Sequence, residues 1–287
     1  MRRVTYGNGR YVAITRDTTS GATSTNRYVH SADGINWTNG ILPFTAEWSE
    51  ILYAGGYFVV VAEKGPVAYS NDGLTWSNSL LPSPPTGTVH TWASIAYDGS
   101  RYIILGSHGK LATSTDLANW TISTLPVPAI SSPFYQAIFF INNIYVAIVA
   151  SFTTNVYSTI YYTSTDLITW TQRSLPVNTN WGWGSSTVNG IIFIRGRTSG
   201  SPNINYIYRS TNGINWSSVS YIPLIYHVNQ YVALNGSDVY TSSNLSTWTF
   251  NQTIPTGSWV DLASNGVNRI VAISYSNSNV VAYADAL

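Results

Sequence analysis

Trp181 and Trp183, one residue apart and followed by Ser185-Ser186, stand with Arg195 and Arg197 as the side chains here whose types best suit ligand recognition. An indole offers a broad apolar face with one polar handle, and a guanidinium grips a carboxylate in a planar, bidentate fork. Arg195 and Arg197 alternate along one β-forming run and have no obvious partner, which makes them the better anion-binding candidates. Other aromatics share the position of Trp181, nine to eleven residues before a β-forming pair: Trp48, Trp92, Tyr135, Tyr221 and Trp259. Near the ends of the runs that follow lie Arg16 and Asp17, Glu63 and Lys64, and His108 and Lys110. Two roles are open to the aromatic ring: packing between neighbouring sheets, or platforms on which sugars stack beside a few polar groups. The candidate ligand-binding residues are therefore Trp48, Trp92, Trp181, Trp183, Trp259, His108, Lys110, Arg195 and Arg197.

Catalytic chemistry has thinner support. A glycoside hydrolase needs two carboxylates ~5 to 9.5 Å apart, and Glu47 or Glu63 with Asp17 are the candidates, but nothing in their spacing demands the pairing. Folding the second hairpin about Gly55-Gly56 places Trp48 opposite Glu63 and Glu47 opposite Lys64, so a cross-strand ion pair accounts for two of these charges. There is no Gly-x-Ser-x-Gly elbow, His-Glu-x-x-His pair, phosphate-binding glycine loop or dinucleotide fingerprint. His30, His90, His108 and His227 follow no ligand spacing, and there is no cysteine. No catalytic residue, metal or cofactor is expected.

The elements that must position these residues come from a repeat. Ser70-Asn71-Asp72-Gly73-Leu74-Thr75-Trp76 returns as Ser31 to Trp37, Ser114 to Trp120, Ser164 to Trp170, Ser210 to Trp216 and Ser242 to Trp248. The repeated positions are Asp33 and Trp37, Asp72 and Trp76, Asp116 and Trp120, Asp166 and Trp170, Asn212 and Trp216, and Asn244 and Trp248. Ser and Asp or Asn bond backbone N–H groups two or three residues on, and Gly tolerates left-handed backbone, so each copy predicts a self-capped turn between strands. Between the tryptophans lies a second series of turns, such as Gly7-Asn8-Gly9, Gly55-Gly56 and Asn189-Gly190, each opening a β-forming run and reading as a hairpin.

Seven hairpins in 287 residues give a period of about 41. Four strands per repeat at that period predict an all-β fold: a seven-bladed β-propeller of four-stranded antiparallel blades, the last incomplete, with six blades as the alternative if the sixth repeat merges with a neighbour. The repeats run 1–43, 44–82, 83–126, 127–176, 177–223, 224–255 and 256–287 within a single domain, with boundaries near Pro43, Pro82, Pro126, Pro176, Pro223 and Pro255.

Composition narrows the partners. Only 9% of residues are charged, against ~25% in ordinary domains, so Ser, Thr, Asn, Tyr and Gly build the surface. Net charge is +1 without a basic run, which argues against nucleic acid. No stretch is long and apolar enough to span a bilayer as a helix, and the first eight residues do not read as a secretory signal.

Ser-x-Asp-Gly-x-x-Trp resembles the Asp-box, the bacterial neuraminidase repeat Ser-x-Asp-x-Gly-x-Thr-Trp found in sialidases and other propellers. The spacing here is one residue shorter, and Asn stands for Asp at Asn212 and Asn244. The resemblance implies a propeller whose motif turns lie away from the working face. It does not carry over catalysis: there is no Arg-Ile-Pro segment, and the three glutamates, Glu47, Glu50 and Glu63, all fall in the second repeat. The shortened motif and the Tyr- and Asn-rich, cysteine-free composition also resemble propeller domains of bacteriophage tail and fibre proteins. That implies a non-catalytic module of a virion or other extracellular assembly, binding a glycan, a cell-surface receptor or other virion proteins. A sialidase-like hydrolase and a purely architectural docking propeller are the alternatives.

Overall fold

The second strand of most repeats is an unbroken apolar run: Val12-Ala13-Ile14, Val59-Val60-Val61, Ile103-Ile104-Leu105, Val146-Ala147-Ile148-Val149, Ile192-Phe193-Ile194 and Val271-Ala272-Ile273, all buried. Strands covered on both faces read as continuous hydrophobic stretches rather than alternating ones. The structure, a computed structural model, describes residues 3–15, 24–82, 91–126, 133–151, 158–181, 185–197, 205–255, 257–274 and 281–285. These residues are all-β apart from one 3-10 turn, Ser107–Gly109, and none of their helices is long and apolar enough to cross a membrane.

The chain divides into two units, Met1–Leu81 with Pro223–Leu287, and Pro82–Ile222. In the first, β1 (Arg3–Gly7), β2 (Arg10–Ile14), β3 (Thr25–Ser31) and β4 (Thr38–Ala46) form one sheet in chain order. A second is built from β5 (Trp48–Ala54), β6 (Tyr57–Ala62), β7 (Pro66–Ser70) and β8 (Ser77–Leu80). In the other unit, β9 (Trp92–Tyr97), β10 (Tyr102–Gly106), β11 (Lys110–Ser114) and β12 (Thr121–Thr124) make a third. A wide sheet of eight strands follows: β13 (Pro133–Ile141), β14 (Ile144–Ser151), β15 (Ser158–Ser164), β16 (Thr171–Trp181), β17 (Ser186–Val188), β18 (Ile191–Arg197), β19 (Asn205–Ser210) and β20 (Ser217–Ser218). The first unit resumes with β21 (Pro223–His227), β22 (Gln230–Asn235), β23 (Asp238–Ser242) and β24 (Thr249–Thr253), then the three strands β25 (Trp259–Ser264), β26 (Arg269–Ser274) and β27 (Val281–Asp285). Neighbouring strands run antiparallel.

The blades therefore number six, not the seven expected from the hairpins. The sixth repeat keeps its own sheet. The fourth and fifth repeats share one instead, because β16 continues to Trp181 and its end pairs with β18, Asn180 opposite Arg197 and Trp181 opposite Gly196. The prolines read as boundaries at Pro43 and Pro176 lie inside β4 and β16, at register shifts of the β3–β4 and β15–β16 pairings. Proline lacks the N–H a regular ladder needs, and a bulge is where a strand tolerates it.

The motif turns have the chemistry their residues predict. Ser31 Oγ accepts from Gly34 N–H at 2.8 Å, while Asp33 Oδ1 accepts from the N–H groups of Ile35 and Asn36, both at 2.8 Å. Asp72, Asp116 and Asp166 repeat the pattern, and Asn212 and Asn244 repeat it with their amide oxygens. The fourth motif position is left-handed in all six copies: Gly34, Gly73 and Gly213 at φ of 69–76°, and Leu117, Leu167 and Leu245 at 63–65°. Where it is glycine, the next sheet-forming neighbour presses close: a Cβ on Gly73 would lie 2.9 Å from Val12 Cγ2, and one on Gly213 2.5 Å from Val146 Cγ2. Where it is leucine, the side chain is itself the filler, and Leu167 joins the buried cluster of Ile103, Leu105, Leu111 and Val149.

Candidate functional site

In a meander of four antiparallel strands, the first and third connections lie at one end of the sheet and the second at the other. The hairpin turns and motif turns thus share one end. The strand-start aromatics and the charged ends of the second strands lie at the opposite one. Tertiary bonds agree: Asn8 Nδ2 donates to Asn71 O at 2.8 Å, and Asn142 Nδ2 to Thr211 O at 2.7 Å, each joining a hairpin turn to a motif turn.

At the end away from the motif turns, the aromatics are mostly packed. Trp48 is 1% exposed, donates from Nε1 to Thr25 O at 2.8 Å and belongs to the core with Val12, Tyr28 and Phe58. Trp92 is 3% exposed and covers Gly106, whose position has room for no side chain: a Cβ would lie 2.9 Å from Trp92 Cε3. Tyr135 is buried too. Trp259 is half-buried and donates to Pro255 O at 2.9 Å. Trp183 lies outside the described residues, and Trp181 and Arg197 are described by backbone alone. Their strands bring Trp181 opposite Gly196, a register position that alternates with those of Arg195 and Arg197, so the pairing does not place the three on one face of the sheet. His108 is exposed in the 3-10 turn with φ of 57°, and Lys110 Nζ donates to Thr124 Oγ1 at 3.0 Å.

The expected pairing of the second hairpin is shifted. Trp48 lies opposite Ala62, not Glu63, because a bulge at Ser49 inserts a residue, and Ser49 Oγ donates to Val61 O at 2.9 Å. Glu47 still meets Lys64, loosely, at 3.8 Å. Sequence reasoning missed a tighter group on three first strands, β1, β5 and β25. Arg3 Nε donates to both Glu50 oxygens, at 3.1 and 3.3 Å, and the Glu50 carboxylate raises the pKa of Arg3. Asp261 accepts from Val4 N–H at 2.9 Å and Leu262 N–H at 3.0 Å. Part of Asp261 meets solvent, yet burial pushes its carboxyl up to about 6, outweighing the attraction of Arg3. The signal was legible: Glu50 and Asp261 each fall two residues after a strand-start tryptophan, a carboxylate in an otherwise apolar strand.

At the motif end, charge is matched internally. Backbone N–H groups hold the carboxyls of Asp33, Asp116 and Asp166 low, and that of Asp72 at about 2. Arg10 Nε donates to Asp72 O at 3.1 Å and Arg269 Nη1 to Asp33 O at 2.7 Å. Asp98 accepts from Arg101 Nε at 3.0 Å and Tyr145 OH at 2.6 Å. His227 is buried, shares a 2.6 Å hydrogen bond between Nδ1 and Ser264 Oγ, and leaves Nε2 without a partner among the described residues. Among the described residues no three of His, Asp and Glu gather as metal ligands.

Exposed large apolar side chains follow the opposite distribution. Ile35, Leu74, Ile168 and Ile214 occupy one position, directly after the left-handed residue of the motif, Val228 and Val267 sit in the hairpin turns, and Tyr57 opens β6 directly after its turn. The others, Ile41, Leu80, Ile122 and Phe250, lie on the fourth strands.

No protein-family model matches the sequence, and no curated protein does. Solved structures do. YCF48 from Cyanidioschyzon merolae is 14% identical, with 99% of this chain covering 94% of that one at a TM-score of 0.64. A YCF48 structure with bound D1 peptide is 12% identical, covering 100% and 93%, also at 0.64. BamB from Moraxella catarrhalis is 11% identical, covering 98% and 84%, at 0.53. The likeness is one of fold, an all-β β-propeller.

Proposed function

We propose that the chain is a non-catalytic docking propeller that binds a protein partner through the turn end of the sheets in its first unit. The observation that carries this reading is an exposed aliphatic side chain at one motif position, Ile35 and Leu74 in that unit, on turns whose charges are already matched internally; Ile168 and Ile214 repeat it within the other unit. Apolar side chains grouped among neutralised polar ones are the make-up of a protein interface, whose core is depleted of free charge. The likeness in fold to a propeller described with a bound D1 peptide supports a polypeptide partner. The hydroxyl- and amide-rich, weakly charged surface supports a virion or other extracellular assembly as the setting. Glycan recognition draws on that surface too, but the faces of Trp48 and Trp92 are covered, which places it second.

The test is selection of a displayed random peptide library on the purified chain, with Ile35→Asp and Leu74→Asp as counter-targets and a glycan array beside it. Apolar-rich peptides that bind the wild type and fail on both variants are expected. Glycan binding alone, unaffected by either variant, would sink the docking reading in favour of a lectin.

A further inference from the structure

We propose that Arg195 anchors a carboxylate-binding site for an acidic peptide segment, at the end of the sheet away from the apolar turns. The first observation is local. Arg195 Nε is closed to solvent and has no hydrogen-bond partner among the described residues. Leaving such a donor unmade forfeits its hydration without compensation, and the cost is greater for a charged group. Burial lowers the guanidinium pKa, and no neighbouring carboxylate offsets it.

The second observation concerns what its unit contains. Residues 82–222 hold six Lys and Arg (Arg101, Lys110, Arg173, Arg195, Arg197, Arg209) against three Asp and no Glu, a net +3. All three carboxylates are committed at the motif end: Asp98 to Arg101 and Tyr145, Asp116 and Asp166 to their own turns. Arg195 stands four residues along β18 from Ile191, where the hairpin turn ends, which at 3.3 Å per residue is about 13 Å from that end. The unit therefore has no acid of its own for this guanidinium. Arg197 follows two residues on, and Lys110 opens β11 at the same end of its sheet.

Backbone register fixes the place. On one edge of β18, Ile191 to Phe193 pair with β17 and Gly196 and Arg197 with β16, so Arg195 sits where the neighbouring strand changes. Its other edge is paired along its length with β19. A peptide carboxylate would supply both the missing acceptor and the missing charge, in the bidentate geometry that distinguishes Arg from Lys. An acidic sugar offers the same group, but a pyranose also calls for a stacking face; the strand-start rings of Trp92 and Tyr135 in this unit are buried, and Trp181 takes a register position that alternates with that of Arg195.

The experiment titrates the purified chain with hexaglutamate, hexaglutamine and an oligogalacturonate, by calorimetry at low and moderate salt, for wild type, Arg195→Gln and Arg195→Lys. The expected result is salt-sensitive hexaglutamate binding and none for hexaglutamine. Binding should weaken about tenfold or more in Arg195→Gln, the loss of one charge-assisted bond, and less in Arg195→Lys. The melting temperature of Arg195→Gln should match or exceed the wild type, since an unpaired desolvated charge has been removed. Hexaglutamate binding unchanged in Arg195→Gln, or absent from the wild type, overturns the proposal. A lower melting temperature in both variants overturns it as well, by giving Arg195 a structural partner. Arg195-dependent binding of oligogalacturonate alone reassigns the site to a sugar acid and overturns the peptide.

Discussion

Leu167 holds a left-handed backbone, φ of 65°, while its side chain is 6% exposed within the cluster of Ile103, Leu105, Leu111 and Val149. Two effects oppose each other there. Left-handed backbone costs a non-glycine residue ~1–2 kcal/mol. Removing a buried leucine side chain costs about 2–5 kcal/mol in transfer and cavity terms. Packing wins, so Leu167→Ala and Leu167→Gly both destabilise. Alanine keeps the backbone strain and glycine relieves it, so Leu167→Gly should be the milder by about 1 kcal/mol. At an ordinary strand position the order is reversed, with glycine worse by roughly 0.5–1 kcal/mol. Urea unfolding at 25 °C followed by tryptophan fluorescence measures all three proteins. Leu167→Gly at or above wild-type stability would show that strain outweighs packing and would refute the role given to this side chain. Alanine milder than glycine would refute the left-handed conformation itself. The converse substitution, Gly213→Leu, should cost at least ~2 kcal/mol, because its Cβ would lie 2.5 Å from Val146 Cγ2 and overpacking adds to strain.

Two further outcomes concern pH. Asp261 has a folded pKa of about 6 against an ordinary 3.8, so the folded state binds its proton more tightly. Its stabilising contribution is present below pH 3.8 and lost as pH rises through 6. The shift corresponds to ~3 kcal/mol, or about 1–2 once partial solvent contact is allowed for. Wild type should therefore gain stability relative to Asp261→Asn from pH 7 to pH 4.5 by urea unfolding, the comparison cancelling the opposite contribution of His30 and His227, whose pKa values burial lowers; parallel profiles would refute it. Asp72, at about 2, has the opposite sign: its contribution is present above pH 3.8 and lost as pH falls toward 2. Asp72→Asn should remove that acid limb at little cost at pH 7, since Asn212 caps its turn with the same two N–H bonds, whereas Asp72→Ala should cost about 1 kcal/mol by thermal melt.

The motif turns were the most legible part of the molecule because their hydrogen bonds are local: Ser31 Oγ donates to Asp33, Asp33 accepts from Asn36 N–H and Trp37 Nε1 donates to Gly34 O, all within seven residues, and spacing alone reveals it. The strands were legible from the apolar runs they share. What depended on the third dimension was not. The count of blades turned on whether β16 stopped at Pro176, and proline composition cannot distinguish a bulge from a boundary. The register of β5 slipped by one at Ser49, where no turn residue marks the insertion. The grouping of Arg3, Glu50 and Asp261 joins positions 257 residues apart in the case of Val4 and Asp261, visible beforehand only as acids misplaced in apolar strands. The candidate residues Trp181, Arg195 and Arg197 were chosen by type, and the register that sets Trp181 opposite Gly196, on the alternate face from the two arginines, could not be read from the sequence, while the exposed aliphatics of the turn end carried no signal beyond their periodicity.

In an array of repeats, each unit ordinarily communicates with the next through side chains, and stability is a sum of unit and nearest-neighbour terms. Backbone bonds from Asn180 and Trp181 to Arg197 and Gly196 change that arithmetic at one boundary. The fourth and fifth repeats become a single cooperative block, in which loosening either one must break main-chain pairing in the other. Amide exchange in the strands of both repeats should consequently report one common opening, while each four-stranded sheet opens on its own schedule.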